Sequence, residues 1–132
     1  MTQSSDIPFP MIRGLGSDII EITRIRESLQ KHGEHFYNKL FTEGEQEYCL
    51  RHADPAVPFA GRFAAKEAIA KSLGTGFGKI LSWLDIEIKK DEHGKPFAVL
   101  CPSILTYFNN PTIHLTISHC HTYATATAIH TS

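Results

Sequence analysis

Apolar positions along this 132-residue chain change their period several times, and each change marks an element. Met11-Ile-Arg-Gly-Leu-Gly-Ser-Asp-Ile-Ile20 is apolar with glycines and predicts a first strand ending near Asp18. Ile22, Ile25 and Leu29 then recur at helical spacing, with His32-Gly33 as the helix end. Thr42-Glu-Gly-Glu45 has the form of a capping box and predicts a helix over 43–52, broken at Asp54-Pro55. Residues 58–73 are rich in Ala, Lys and Glu, good helix formers, and Gly74 closes them. Gly74-Thr-Gly-Phe-Gly78 reads as loop. Alternation of apolar and charged residues over 84–90 predicts a half-buried strand, and Asp91-Glu-His-Gly94 turns it back into a second over 96–100. A short helix over 103–108 and two strands over 112–118 and 122–130 follow. The class is α+β, a mostly antiparallel sheet packed against one long helix. Residues 1–10 are polar with Pro8 and Pro10 and no period; they are expected to be a flexible extension to a single domain over 11–132.

Composition narrows the function classes. A hydrophobic fraction of 42% and a charged fraction of 20% are ordinary for a globular chain. No apolar run approaches the ~20 residues of a membrane helix, and the N-terminus lacks the basic start and apolar core of a signal peptide. A cytoplasmic protein without membrane contact is expected. Net charge is −1, so no global basic field points to nucleic acid. Between Arg13 and Lys31, however, Arg13, Arg24, Arg26 and Lys31 outnumber Asp18, Glu21 and Glu27, so one basic face can meet an acidic partner. The cysteines, Cys49, Cys101 and Cys120, are odd in number and lack CxxC spacing, which argues against disulfides and a zinc knuckle.

Several motifs fail on inspection. Gly14-Leu-Gly16 is no dinucleotide fingerprint, because position 19 is Ile and no βαβ unit follows. Gly74–Gly78 lacks the Lys-Ser/Thr of a phosphate-binding P-loop. Adjacent ligands in Ser118-His119-Cys120-His121 cannot close a tetrahedral zinc site by themselves. Asp18 reads either as a helix N-cap or as a metal ligand. The 59–73 helix carries Arg62, Lys66 and Lys71 with one acid, Glu67, and its bland reading is a core helix with an exposed Glu67–Lys71 pair.

Taken in order, Gly16-Ser-Asp18-Ile-Ile-Glu21, Gly61-Arg-Phe-Ala-Ala-Lys-Glu-Ala68 and Ile117-Ser-His119 with Tyr123-Ala124 resemble the holo-[acyl-carrier-protein] synthases of the 4′-phosphopantetheinyl transferase superfamily. Phe41-Thr-Glu, Gly74–Gly78, Asp85-Ile-Glu and Gly94-Lys-Pro96 extend the likeness from about Ile12 to Ile129. The resemblance implies that fold, and a Mg²⁺-dependent transfer of the phosphopantetheine arm of coenzyme A to a serine of acyl carrier protein, in fatty acid biosynthesis. It implies Asp18 and Glu67 as magnesium ligands and catalytic residues, with Lys71 catalytic and on the coenzyme A phosphates. Mg²⁺ suits two carboxylates, since it completes its shell with water and substrate phosphate. Arg62, Lys66, Gly74, Gly76 and His119 are implied coenzyme A contacts, the glycine amides approaching the nucleotide. Arg24 is implied to grip acyl carrier protein, with Arg26 and Lys31 as helpers. A homotrimer with interfacial sites is also implied. Phe63, where larger two-lobed relatives carry Trp, favours the short trimeric branch. A pyrophosphate hydrolase and an inactive coenzyme A-binding domain are the rival readings.

Overall fold

The computed structural model describes residues 11–132, so the expected extension over 1–10 lies outside the described residues. The elements run β1 (Ile12–Glu21), α1 (Ile22–His32), α2 (Glu34–Leu40), α3 (Glu43–Leu50), α4 (Ala56–Leu73), a 3-10 turn (Trp83–Asp85), β2 (Ile86–Lys90), β3 (Pro96–Leu100), α5 (Pro102–Tyr107), β4 (Thr112–His119) and β5 (Tyr123–Thr131). The α+β class holds. The strands form two separate antiparallel units: a three-stranded sheet in the order β1-β5-β4, and the β2-β3 hairpin.

Four elements depart from the sequence pattern, β2 among them: it starts at Ile86, two residues later than the alternation predicts, because Trp83–Asp85 form the 3-10 turn. β1 continues past Asp18 to Glu21, because the whole stretch pairs with β5, from Ile12 opposite Thr131 to Glu21 opposite Tyr123. A helix absent from the pattern, α2, fills the gap before the capping box; it is seven residues long and buries none of them fully, its Phe36, Tyr37 and Leu40 packing half-buried against the apolar core. The long helix starts two residues early, straight after Pro55. The capping box itself is present, with Glu45 N donating to the Thr42 hydroxyl and Thr42 N donating to Glu45.

Why α4 is so rich in small residues follows from where it sits. Thirteen of its eighteen residues are buried, so it has no solvated face to speak of. It lies across the inner face of the three-stranded sheet, where β5 presents Ala124, Ala126 and Ala128. A Cβ on Gly14 would fall on the Ser72 carbonyl oxygen, and one on Gly16 on that of Ala68. At its other end, Gly61 rests against Ile117 of β4. The helix therefore crosses obliquely, its N-terminal half over the β4 edge and its C-terminal half over the β1 edge. Apolar side chains from α1, α2 and α3 pack on one flank, with Phe41 and Phe59 in contact at 4.7 Å. The hairpin and α5 close the other flank.

The outer face of the same sheet has no cover among the described residues. Side chains alternate across a strand, so Leu15 and Ile19 point away from α4 and are 65% and 62% exposed. They lie beside Ile129 and Thr125 of β5.

Candidate active site

Asp18 faces inward from the middle of β1, opposite Ala126. The close approach at Gly16 brings Ala68, and with it Glu67, up to this edge strand. Lys71 lies one helical turn beyond Glu67, and its ammonium is 3.2 Å from Asp18 Oδ1 and donates to the Ser17 carbonyl at 2.9 Å. The structure thus gathers Asp18, Glu67 and Lys71. Partial burial, then the charge of Asp18, push the Glu67 carboxyl above the usual range, and Lys71 offsets part of that. Two expectations change here. Asp18 is no helix cap: α1 starts three residues later behind Glu21, which makes no side-chain cap hydrogen bond. Nor is there a Glu67–Lys71 ion pair among the described residues, since the ammonium turns to Asp18.

A cation fits this cluster. Two carboxylates crowd together, one of them uncomfortable with its charge, and a divalent ion would relieve both. Among the described residues no three His, Cys, Asp or Glu gather as a ligand set. Any ion held here must take further ligands from water and substrate, which suits Mg²⁺ and not a closed zinc site.

Arg62 and His119 lie elsewhere. Arg62 precedes Glu67 by five residues, which turns it about 140° around α4. Both line a cavity of about 390 Å³ with Lys90, His52 and Gly94, on the β4 side. Arg62 is only 4% exposed, yet the described residues offer it no carboxylate within 4 Å. The implied site residues therefore form two groups at opposite edges of one sheet: carboxylates with Lys71 on β1, Arg62 with His119 at β4.

Lys66 belongs to neither group. Its side chain is fully buried, paired with Glu45 at 2.7 Å and donating to the carbonyls of Leu40 at 2.7 Å and Trp83 at 3.0 Å. Its three N–H bonds are all used, so in this arrangement it ties α2, α3 and the 3-10 turn to α4 and has no donor left for a phosphate. The glycine loop also departs from expectation. Gly74 and Gly76 have φ of 88° and 63°, which explains the glycines, but both amides donate to the Ala70 carbonyl and close the helix end. They are not presented to a ligand.

Arg24 and Lys31 are exposed along a groove of about 410 Å³ that also meets Phe36 and Phe63. Phe63 sits one turn before Glu67 on α4, so this basic groove opens toward the carboxylates. Arg26 is instead committed to Asp54 at 2.7 Å. Sequence reasoning missed Tyr48, Lys90 and the Glu45 partner of Lys66. The i, i+4 spacing of Tyr48 and His52, across the end of α3, was the available signal for the first of these.

The family model of the 4′-phosphopantetheinyl transferase superfamily matches residues 14–128, nearly the whole chain. The holo-[acyl-carrier-protein] synthase of Protochlamydia amoebophila is 51% identical over 122 residues, covering 92% of this chain and 100% of that protein. The chain belongs to the holo-[acyl-carrier-protein] synthases of this superfamily. It is accordingly a phosphopantetheinyl transferase. The synthase of Chlamydia pneumoniae is 52% identical over 115 residues, 87% of this chain and 93% of its own. Among solved structures of these synthases, that from Helicobacter pylori in complex with coenzyme A aligns with a TM-score of 0.82 at 33% identity, covering 88% of this chain and 98% of that one. The Bacillus anthracis synthase in complex with CoA (3′,5′-ADP) aligns at 0.80 and 39% identity, covering 92% and 98%.

Proposed function

We propose that this chain transfers the 4′-phosphopantetheine arm of coenzyme A to a serine of apo-acyl carrier protein, in the cytoplasm and in service of fatty acid biosynthesis. The observation that carries this reading is the meeting of Asp18, Glu67 and Lys71 at the β1 edge, beside the basic Arg24–Lys31 groove. In the reaction the serine oxygen forms a bond to the β-phosphorus, the pyrophosphate P–O bond breaks, and 3′,5′-ADP leaves. Asp18 and Glu67 would hold Mg²⁺, which when bound neutralises the pyrophosphate and polarises the phosphate under attack. Lys71 reaches the same oxygens as a point charge on an exposed stem. The serine proton needs an acceptor within hydrogen-bond reach, a role open to water or to a nearby carboxylate such as Glu67. Arg24 and Lys31 face the acidic surface of the carrier protein.

The same reading extends to assembly. Coenzyme A phosphates need Arg62 and His119, which lie across the sheet from the carboxylates, so we place a neighbouring copy's Arg62–His119 edge against the Asp18–Glu67 edge, in a homotrimer. The uncovered sheet face supports this, since burying the exposed two-thirds of Leu15 and Ile19 would each contribute ~1–2 kcal/mol.

Intact mass spectrometry of apo-acyl carrier protein, incubated with this protein, coenzyme A and Mg²⁺, tests the proposal. The carrier should gain one phosphopantetheine, and chelator or Asp18→Asn should abolish the gain. Coenzyme A cleaved without any gain would make the protein a hydrolase. No reaction with a competent carrier would leave a binding domain.

A further inference from the structure

The cavity at the β4 edge holds an arrangement that the chemistry above does not use. Three cations surround one ring. The guanidinium carbon of Arg62 is 4.2 Å from the Tyr48 centroid, Lys90 Nζ is at 5.5 Å, and the guanidinium carbon of Arg51 is at 5.8 Å. None of the three forms an ion pair among the described residues. Arg62 is the most buried of them. Its Nε is buried without a partner, and its only hydrogen bond among the described residues is a long one, Nη1 to the Pro58 carbonyl at 3.5 Å. Buried charges are ordinarily paired with an opposite charge. Here an aromatic face occupies the place of the carboxylate.

That replacement has a chemical consequence. A carboxylate would occupy the N–H fork of Arg62 and cancel the charge that attracts a phosphate. A ring face draws the cation through its quadrupole, but it has no lone pair along the guanidinium edge to fill those donors. Arg62 is thus held at the cavity wall with its charge uncancelled by any carboxylate among the described residues. We propose that Tyr48 is the positioning residue of this cavity, fixing Arg62 and gathering Lys90 so that a coenzyme A phosphate meets preassembled cations. The proposal rests on the coenzyme A reading given above. The Tyr48 hydroxyl makes no hydrogen bond among the described residues, so the ring and not the phenol carries the role.

Calorimetric binding of 3′,5′-ADP to the whole protein, with steady-state kinetics alongside, tests it. Tyr48→Leu should weaken 3′,5′-ADP and raise KM for coenzyme A roughly ten-fold, the scale of a desolvated cation–π contact. Its kcat should stay within about two-fold, because the contact serves ground state and transition state alike. Tyr48→Phe, which keeps the ring, should restore binding. Since Tyr48 acts through Arg62, adding Tyr48→Leu to Arg62→Gln should cost little beyond Arg62→Gln alone, a non-additivity that a merely structural tyrosine would not give. Should the leucine variant not fold, Tyr48→Gln takes its place. Unchanged 3′,5′-ADP affinity without the ring, failure of phenylalanine to rescue, or additive losses in the double variant would each overturn the proposal and leave the transferase reading standing. A parent protein that binds neither 3′,5′-ADP nor coenzyme A would overturn both.

Discussion

Glu67 carries its charge against its surroundings. Its folded-state pKa lies above the ordinary carboxylate value, through burial first and the Asp18 charge second. The folded chain therefore binds this proton more readily than the unfolded chain does. The stability so gained is present at low pH and is lost as pH rises through the raised value. Glu67→Gln should accordingly raise Tm by roughly 1–3 °C at pH 7, with the advantage gone below about pH 4, where both forms are neutral. Scanning fluorimetry at the two pH values checks this; an equal or lower Tm at pH 7 would mean the site does not crowd its carboxylates. Two lysines five residues apart make the opposite contrast. Lys66→Met leaves Glu45 buried without its cation and should cost about 3–5 kcal/mol in denaturant unfolding. Lys71→Met removes a pair with a half-exposed ammonium and should cost under about 1 kcal/mol of stability, while turnover falls sharply.

Among the elements, the long helix shows what a sequence can and cannot tell. Its existence and its end at Gly74 were legible from composition and from a glycine placed just past the helix formers, which the structure finds at positive φ. Its orientation was not, because a helix buried nearly all round has no polar face to point it. That is why Lys66, surrounded by α2, α3 and the 3-10 turn, passed for a candidate phosphate ligand beside Lys71. The extent of β1 was equally hidden: Ile19 and Ile20 read as the approach to a helix, and only pairing with β5 keeps them extended. The Glu67–Asp18 meeting depends on Gly16, which lets strand and helix backbones touch. Gly16→Ala would place a methyl carbon on the Ala68 carbonyl oxygen and force the elements apart, at about 1–3 kcal/mol or more. Turnover should fall further than this stability loss explains at assay temperature, as a comparison of kcat with fraction folded would show. Parent kcat in the folded variant would mean the spacing of strand and helix is not what sets the site.

Across the whole molecule, the resemblance supplied the residues and the fold supplied their grouping. Nothing in the chain order says that Arg62, next to Lys66 and Glu67 in sequence, looks to the other edge of the sheet. The bare sheet face was also invisible, since alternation of Leu15 and Ile19 with Gly16 and Asp18 reads the same whether the outer side meets water or another copy. If the proposed trimer forms through this face, Ile19→Glu should reduce it to a smaller species in size-exclusion chromatography with light scattering, with circular dichroism unchanged and transferase activity lost. An unchanged size would remove this face from assembly.

The division of the site between two edges has a genetic corollary. On the proposed ring, each centre takes its carboxylates from one subunit and Arg62 from the next, so a defect in either half can be hidden by a healthy neighbour. Asp18→Asn and Arg62→Gln proteins, each inactive alone, should complement one another when refolded together. Random mixing in equal amounts rebuilds about a quarter of the centres, since each needs one particular neighbour on each side of a cyclic interface. Two dead subunits would then make a live enzyme, and one that stays dead on mixing would place the whole centre within a single chain.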